Sequence, residues 1–477
     1  MLKNPIGYLS NNKTDCRFNT FQYVSILMKD FIDKIRILLK SKFDLIDNEK
    51  LKKNLLNALP FWIGAFITGT TAVIYAKLFF WAELGTHLIY ENARWSFFVI
   101  TPLCFVLAWS MVVRYAPFSG GSGIPQVIAS IELSGQKNNH KVNLLLSLRT
   151  ILIKIISSVV MVFGGGVIGR EGPMIQISAS IFKKINDLLP AWYPKISKQN
   201  MIVTGAAAGL ASAFNTPLGG IVFAIEELTR THFNLFKSAL LTGVIIAGLT
   251  ALNFLGPYLY LGYPRLDGVT SWIIITIIPL AIVTGFAGSG MGSIILYIFK
   301  KKSILKKNYQ KIIYVAICGL IIASLAILID IKTFGSGKDI MVTTLFTDQK
   351  QLEWYVPFLR IIGPIISFST GAAGGIFAPS LSAGASIGAV FSGWLQLSNP
   401  DTNLIILCGM TGFLTSITRS PFTSSIIVLE MTNTHNVIFY IMLTALLSNL
   451  IATLISRKSF YDLLKNQYVD VVNKVKI

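Results

Sequence analysis

Long stretches of this chain carry no Asp, Glu, Lys or Arg: 95–113, 199–225, 238–264, 268–299, 361–400 and 431–456. Several reach or exceed the roughly 20 residues an α-helix needs to cross the hydrocarbon core of a bilayer. At 53% hydrophobic and 13% charged residues, with a mean hydropathy of +0.62, the 477 residues could not cover a water-soluble surface. A transmembrane β-barrel is excluded too, since barrels show short alternating segments and not continuous apolar runs. The chain therefore reads as an all-α polytopic membrane protein, and the lipid bilayer is its first partner.

Lys and Arg number 42 against 22 Asp and Glu, a formal charge of +20. In a soluble protein that balance points toward nucleic acid. Here the basic residues collect at 29–53, in KKKSILKKNYQK at 300–311, and in the tail that begins at Arg457-Lys458. Short basic loops and tails belong on the cytoplasmic side, which places both termini inside and leaves nucleic acid out. Residues 1–55 form a basic leader. Within it, 21–39 fits an amphipathic helix on the membrane surface or a solvated helix equally well. Residues 1–20 are polar and lack the apolar core of a signal peptide. The four cysteines and four histidines are dispersed, without disulfide or metal-ligand spacing. No metal or cofactor is expected. An embedded enzyme would need a nucleophile–base pair or metal ligands at depth, so the chain is read as no enzyme.

The apolar body, from about Leu55 to Ser456, is broken by Gly, Pro and Ser at 117–125, 163–173, 205–220, 363–385 and 409–425. Broken helices at membrane depth are tolerated only inside protein or along an aqueous cavity. The body also repeats. GAAAGLASAFNTPLGGIVFAIE, from Gly205, and GMTGFLTSITRSPFTSSIIVLE, from Gly409, align at an offset of 204. Gly205, Leu210, Ser212, Pro217 and Glu226 fall on Gly409, Leu414, Ser416, Pro421 and Glu430. Two halves with breaks at corresponding places point to a transporter whose site lies near mid-membrane. The expected divisions are a leader (1–55), two membrane repeats (56–265 and 266–466) and a short cytoplasmic tail (467–477).

Three broken segments suit an anion. The first is Gly120-Gly121-Ser122-Gly123-Ile124-Pro125. The second runs through Gly164-Gly165-Gly166 to Gly169-Arg170-Glu171-Gly172-Pro173. The third is Gly374-Gly375-Ile376-Phe377-Ala378-Pro379. Glycine lets backbone approach a ligand closely, Pro suits a helix start, and the Ser122 hydroxyl is a donor. Each segment would present free N–H groups and the positive end of a helix dipole. One Gly-Ser-Gly run alone fits packing or a hinge as well; three of them, all before Pro, favour a binding role. No buried Lys or Arg cluster accompanies them, which suits a monovalent anion that must leave again. Two acids at the edges of uncharged runs, Glu171 and Glu227, are functional candidates. A carboxylate beside an anion site can compete with the anion when charged and carry a proton when neutral. Glu226 and Glu430 share a repeat position, and a common structural role is expected of them.

G-S-G-I-P at 121–125, G-R-E-G-P at 169–173 and G-G-I-F-A-P at 374–379 resemble the signature motifs of the CLC chloride channel and transporter family, in the same order. The resemblance covers about 55–465. It implies a homodimer with one anion pathway per subunit, each subunit made of two inverted repeats of tilted, partly broken helices. It also implies that Ser122 and Tyr461 offer hydroxyls to a central chloride and that the amides of Ile376 and Phe377 face the anion path. Ser122 in place of Pro looks like chloride over nitrate preference. Glu171 would be the external gating glutamate and Glu227 the internal proton-transfer glutamate. With both acids present, the sequence looks like a chloride/proton antiporter of a prokaryotic inner membrane. A passive chloride channel of the same fold is the rival. Fluoride-specific members depart from the first two motifs, which disfavours fluoride. Gln126 stands where relatives often carry an acid. After Ile477 no room remains for the cytoplasmic nucleotide-sensing domains of many eukaryotic members, and the length looks prokaryotic.

Overall fold

The structure, a computed structural model, describes residues 40–474 except 42, 45–46, 136–138, 230–236 and 257–259. The surface helix considered over 21–39, and most of the basic leader, lie outside the described residues.

Helices follow one another along the chain. The first are α1 (Glu49–Ala93), α2 (Phe97–Tyr115), α3 (Ile124–Ser134), α4 (Leu148–Phe163) and α5 (Glu171–Leu188). Then come α6 (Lys198–Phe214), α7 (Pro217–Phe223), α8 (Lys237–Leu255), α9 (Ile273–Lys302) and α10 (Asn308–Leu328). After them run α11 (Lys338–Phe346), α12 (Val356–Ser369), α13 (Phe377–Trp394) and α14 (Asn399–Thr418). The last are α15 (Pro421–Thr432), α16 (Ile438–Ile455) and α17 (Phe460–Lys474). Among the described residues there is no β-strand, only two isolated bridges, Gly121 with Ala373 and Gly169 with Gly375. Among the described residues, six helical stretches are long and apolar enough to cross a membrane by length and composition.

By its internal contacts the chain divides into a small unit, 1–59 with 189–195, and a large one, 60–188 with 196–477. In the small unit the Tyr193 hydroxyl donates to the Leu56 carbonyl at 2.7 Å. The large unit holds the Gly-rich segments at 120–125, 164–173 and 374–379. Its polarity is that of a chain solvated by lipid: Phe439 and Leu454 are 82% and 74% exposed, while Ser and Thr such as Ser380, Thr411 and Thr444 are buried. Those hydroxyls donate to carbonyls three or four residues back in their own helices, which satisfies them without water.

The expected breaks are real but narrower than the Gly-rich runs. Residues 205–214 and 409–418 are helical, and their small residues serve packing instead. A side chain at Gly205 would run into Phe182 and Ser178 of α5, and one at Gly409 into Gly384 and Gly388 of α13. Helix α6 thus lies close along α5, and α14 along α13, the close approach that small residues permit in membranes. The chain turns at 215–216 and 419–420. Asn215 and Arg419 both adopt left-handed conformations (φ 57° and 63°), followed by Thr216 and Ser420 at nearly equal dihedrals and by a Pro that starts the next helix. The offset of 204 is therefore structural as well as textual.

Glu226 and Glu430 perform the shared task expected of them. The Glu430 carboxylate accepts from Leu218 N and Gly219 N (3.0 and 2.7 Å), at the start of α7. The Glu226 carboxylate accepts from Phe422 N and Thr423 N (3.2 and 2.7 Å), at the start of α15. Each repeat thus caps the opposite repeat's helix, satisfying N–H groups that a helix start leaves unpaired. Glu430→Ala should cost about 1–2 kcal/mol of stability, the scale for losing a helix cap. Thermal unfolding in detergent would record that loss, and proton coupling should persist in the variant.

Candidate functional site

Three helix starts meet at one place. The Gly121 N–H donates to the Ala372 carbonyl (2.9 Å), and Gly374 N–H donates back to Gly121 (3.1 Å). Gly169 and Gly375 exchange two bonds, each 2.8 Å. These short bridges tie the loops before α3, α5 and α13 together, so that helices beginning at Ile124, Glu171 and Phe377 converge. The first N–H groups of a helix have no carbonyl one turn back, and so the meeting point gathers helix-start amides, among them that of Phe377, with Ile376 as the cap residue before it. Both residues are buried, at 0% and 2% exposure.

Glycine is required at two positions here. Gly123 caps α3 at φ 100°, a conformation that strains any L side chain, and Pro125 follows in the first turn. A Cβ at Gly172 would collide with the Ser122 hydroxyl and crowd Gly375, so its absence lets α5 approach the first loop. Pro173 occupies the first turn of α5, where its missing N–H costs nothing.

Ser122 and Tyr461 are almost fully buried with their hydroxyls near each other, and among the described residues neither makes a hydrogen bond of normal geometry. Buried hydroxyls are nearly always paired, and two orphans at one point mark a place for a polar guest. Tyr461, at the start of α17, packs its ring 6.1 Å from Phe377. Phe377 continues to Phe214 at 6.3 Å, and Phe214 to Tyr260 at 5.1 Å.

Glu171, the first residue of α5, is 1% exposed, and its Oε1 accepts from the Tyr260 hydroxyl at 3.1 Å. Its Oε2 lies where a side chain at Gly169 would stand. Arg170 donates to the Ala76 carbonyl (3.2 Å) and places its guanidinium 5.9 Å from the centre of the Tyr260 ring. Glu227 is not brought to the same spot. It sits in a π-helical turn, Ala224–Leu228, that extends α7, and its Oε2 accepts from the Ser420 hydroxyl at 2.6 Å. A cavity of about 10 Å³, roughly one water's worth, is lined by Glu227, Ser420, Phe377 and Tyr461 among others. It joins the second acid to Tyr461.

Several supporting residues escaped the sequence reading. Lys154 of α4 is fully buried, and its Nζ donates to the Ser119 and Gly121 carbonyls (3.0 and 3.1 Å) and to Gln176 Oε1 (2.6 Å). A lone Lys in the run Ile151-Leu152-Ile153-Lys154-Ile155-Ile156 was the available signal. Gln126 turns its amide onto the Gly120 carbonyl at 2.7 Å, so the position where an acid was in question serves to hold the loop. Tyr260 and Ser420 carried no sequence signal, being far from their partners along the chain. Among the described residues, no three His, Cys, Asp or Glu gather as a metal-holding group.

Comparison with known proteins yields likenesses that cover most of the chain. Residues 104–453 match the family model described as Voltage gated chloride channel. The H(+)/Cl(-) exchange transporter ClcA of Klebsiella pneumoniae is 27% identical over 419 residues, which span 83% of this chain and 85% of that protein. Among solved structures, a slow cyanobacterial Cl-/H+ antiporter superposes with a TM-score of 0.76 at 22% identity, over 88% of this chain and 99% of its own. A CLC-type fluoride/proton antiporter superposes at 0.72 and 20% identity, over 87% and 99%. At those identities the two structures speak to the fold alone.

Proposed function

The chain belongs to the voltage gated chloride channel family, and from that premise we propose that it exchanges chloride for protons as a secondary active transporter. The observation that carries the reading is the pair of buried acids: Glu171 stands at one of three converging helix starts, and Glu227 shares a small cavity with the buried Tyr461. Chloride is held by the Ser122 and Tyr461 hydroxyls and by the amides of Ile376 and Phe377. Such partial charges bind a monovalent anion without trapping it. Glu171 is the outer gate and proton carrier. Charged, its carboxylate lies in the anion's way; protonated, it no longer competes and turns aside. Glu227 passes protons to and from the cytoplasmic side, through the small cavity it shares with Tyr461. Gly121, Gly123, Pro125, Gly169, Arg170, Gly172, Pro173, Gly374 and Gly375 shape the backbone around these groups.

The same reading makes the protein a homodimer in a prokaryotic inner membrane, one pathway per subunit, with both termini cytoplasmic. The two repeats run over 56–265 and 266–466, flanked by the basic leader (1–55) and the tail (467–477). The reciprocal caps of Glu226 and Glu430 support that division. Chloride and protons are the transported ions. No catalytic turnover, cofactor or nucleic acid enters the proposal.

Purified protein in liposomes tests it, with an imposed chloride gradient and the voltage clamped by a potassium ionophore. Protons should move against their own gradient, driven by chloride. Chloride flux without proton movement would make the protein a passive channel.

A further inference from the structure

We propose that Tyr260 is the latch of the outer gate: its hydroxyl holds the charged Glu171 carboxylate across the anion path, and protonation of that carboxylate loosens the hold. The proposal rests on the reading of Glu171 as the gate, and names the residue that positions it.

Tyr260 is 3% exposed and lies 89 residues from Glu171 along the chain, yet its hydroxyl stands 3.1 Å from Glu171 Oε1. Three contacts fix the ring that carries the hydroxyl. Phe214 meets it edge-on at 5.1 Å, the Lys338 ammonium stands 4.8 Å from its centre, and the Arg170 guanidinium 5.9 Å. Cations over an aromatic face are attracted to its negative quadrupole. The backbone is pinned as well, since Leu261 N–H donates to the Met431 carbonyl at 3.3 Å. The ring is therefore anchored by groups other than the gate, as a latch must be.

A phenol donating to a carboxylate makes a charge-assisted bond, about twice as strong as one between neutral groups. Once Glu171 takes up a proton, the bond falls to the neutral kind and the gate is freer to turn. The charged and titratable groups that also act on Glu171 through their charge are Arg170, Glu83, Lys338, Tyr75 and Tyr461. Among the described residues, Tyr260 is the side chain that hydrogen-bonds its carboxylate. Beside the latch, Lys338 and Arg170 line a hollow of about 290 Å³ with Ala76, Lys77, Phe80 and Leu255. Two of the cations that anchor the ring thus also line this hollow.

Tyr260→Phe removes the hydroxyl and leaves the ring on its anchors. The charged gate loses a donor and the neutral gate loses less, so the neutral form is reached at lower proton concentration. The pH at which exchange reaches half its maximum should move up by about one unit, the tenfold change that one such bond supports. A second measurement separates a latch from a merely structural tyrosine. In a Glu171→Ala background nothing remains to be held, and adding Tyr260→Phe should leave the chloride flux of that variant as it is. An unshifted pH midpoint in Tyr260→Phe overturns the latch, as does a fall in flux of equal size in both backgrounds. Uphill proton movement in Glu171→Ala alone overturns the gate reading itself, and the latch with it.

Discussion

Glu171→Ala is expected to abolish uphill proton movement while chloride continues to pass. The proton flux should fall by more than about a hundredfold, the scale for removing a positioned proton carrier. The chloride path should survive because little of it depends on this side chain. The orphaned hydroxyls of Ser122 and Tyr461 and the amides at the start of α13 belong to other segments, tied by the backbone bonds of Gly121, Gly169, Gly374 and Gly375. Alanine keeps the helix start at 171 and removes only the carboxylate that, on the proposed reading, competes with the anion. The dependence of chloride flux on pH should flatten as well, since the titrating gate is gone. Parallel recordings of chloride efflux and external pH from the same liposomes read both outcomes. Continued coupled proton movement would remove Glu171 from the mechanism.

How much of this was legible beforehand depended on what kind of constraint acted on each residue. Charge-free runs gave the helical membrane body, because only helices and closed barrels satisfy backbone groups in lipid and a barrel would show short alternating segments. The three Gly-Pro segments were legible as helix starts, because that follows from the backbone alone. Glu226 and Glu430 disclosed a shared task through their equal places in the repeat. Which helix each one caps needed the packing of one repeat on the other. The breaks were read too widely at 205–214 and 409–418, since small residues serve helix contact as readily as a turn. Arg419 illustrates the limit: Asn215 suits a left-handed turn by its nature, while Arg419 adopts one because the repeat demands it, and its guanidinium is then held by the Asn449 and Ser456 carbonyls. Tyr260 was beyond reach, for a hydrogen bond across 89 residues leaves no local trace.

Glu227→Gln should uncouple transport as thoroughly as the loss of Glu171, but with a different signature. Glu227 is 5% exposed, and its Oε2 accepts from Ser420 at 2.6 Å. A glutamine of the same size can still accept that bond through its carbonyl oxygen, so the π-helical turn and the neighbouring cavity should keep their form. What it cannot do is take up and release a proton. Proton flux should again drop by more than about a hundredfold, and chloride should pass, because the hydroxyl pair and the α13 amides are untouched. Glu171, the proposed gate, is left untouched in this variant. Chloride flux in Glu227→Gln should therefore still rise as external pH falls, where in Glu171→Ala it should not. That contrast assigns the two acids to two tasks, one shared by both ions and one belonging to the proton alone. Full coupling in Glu227→Gln would place the inner proton route elsewhere and leave Glu227 a structural acid bound to Ser420.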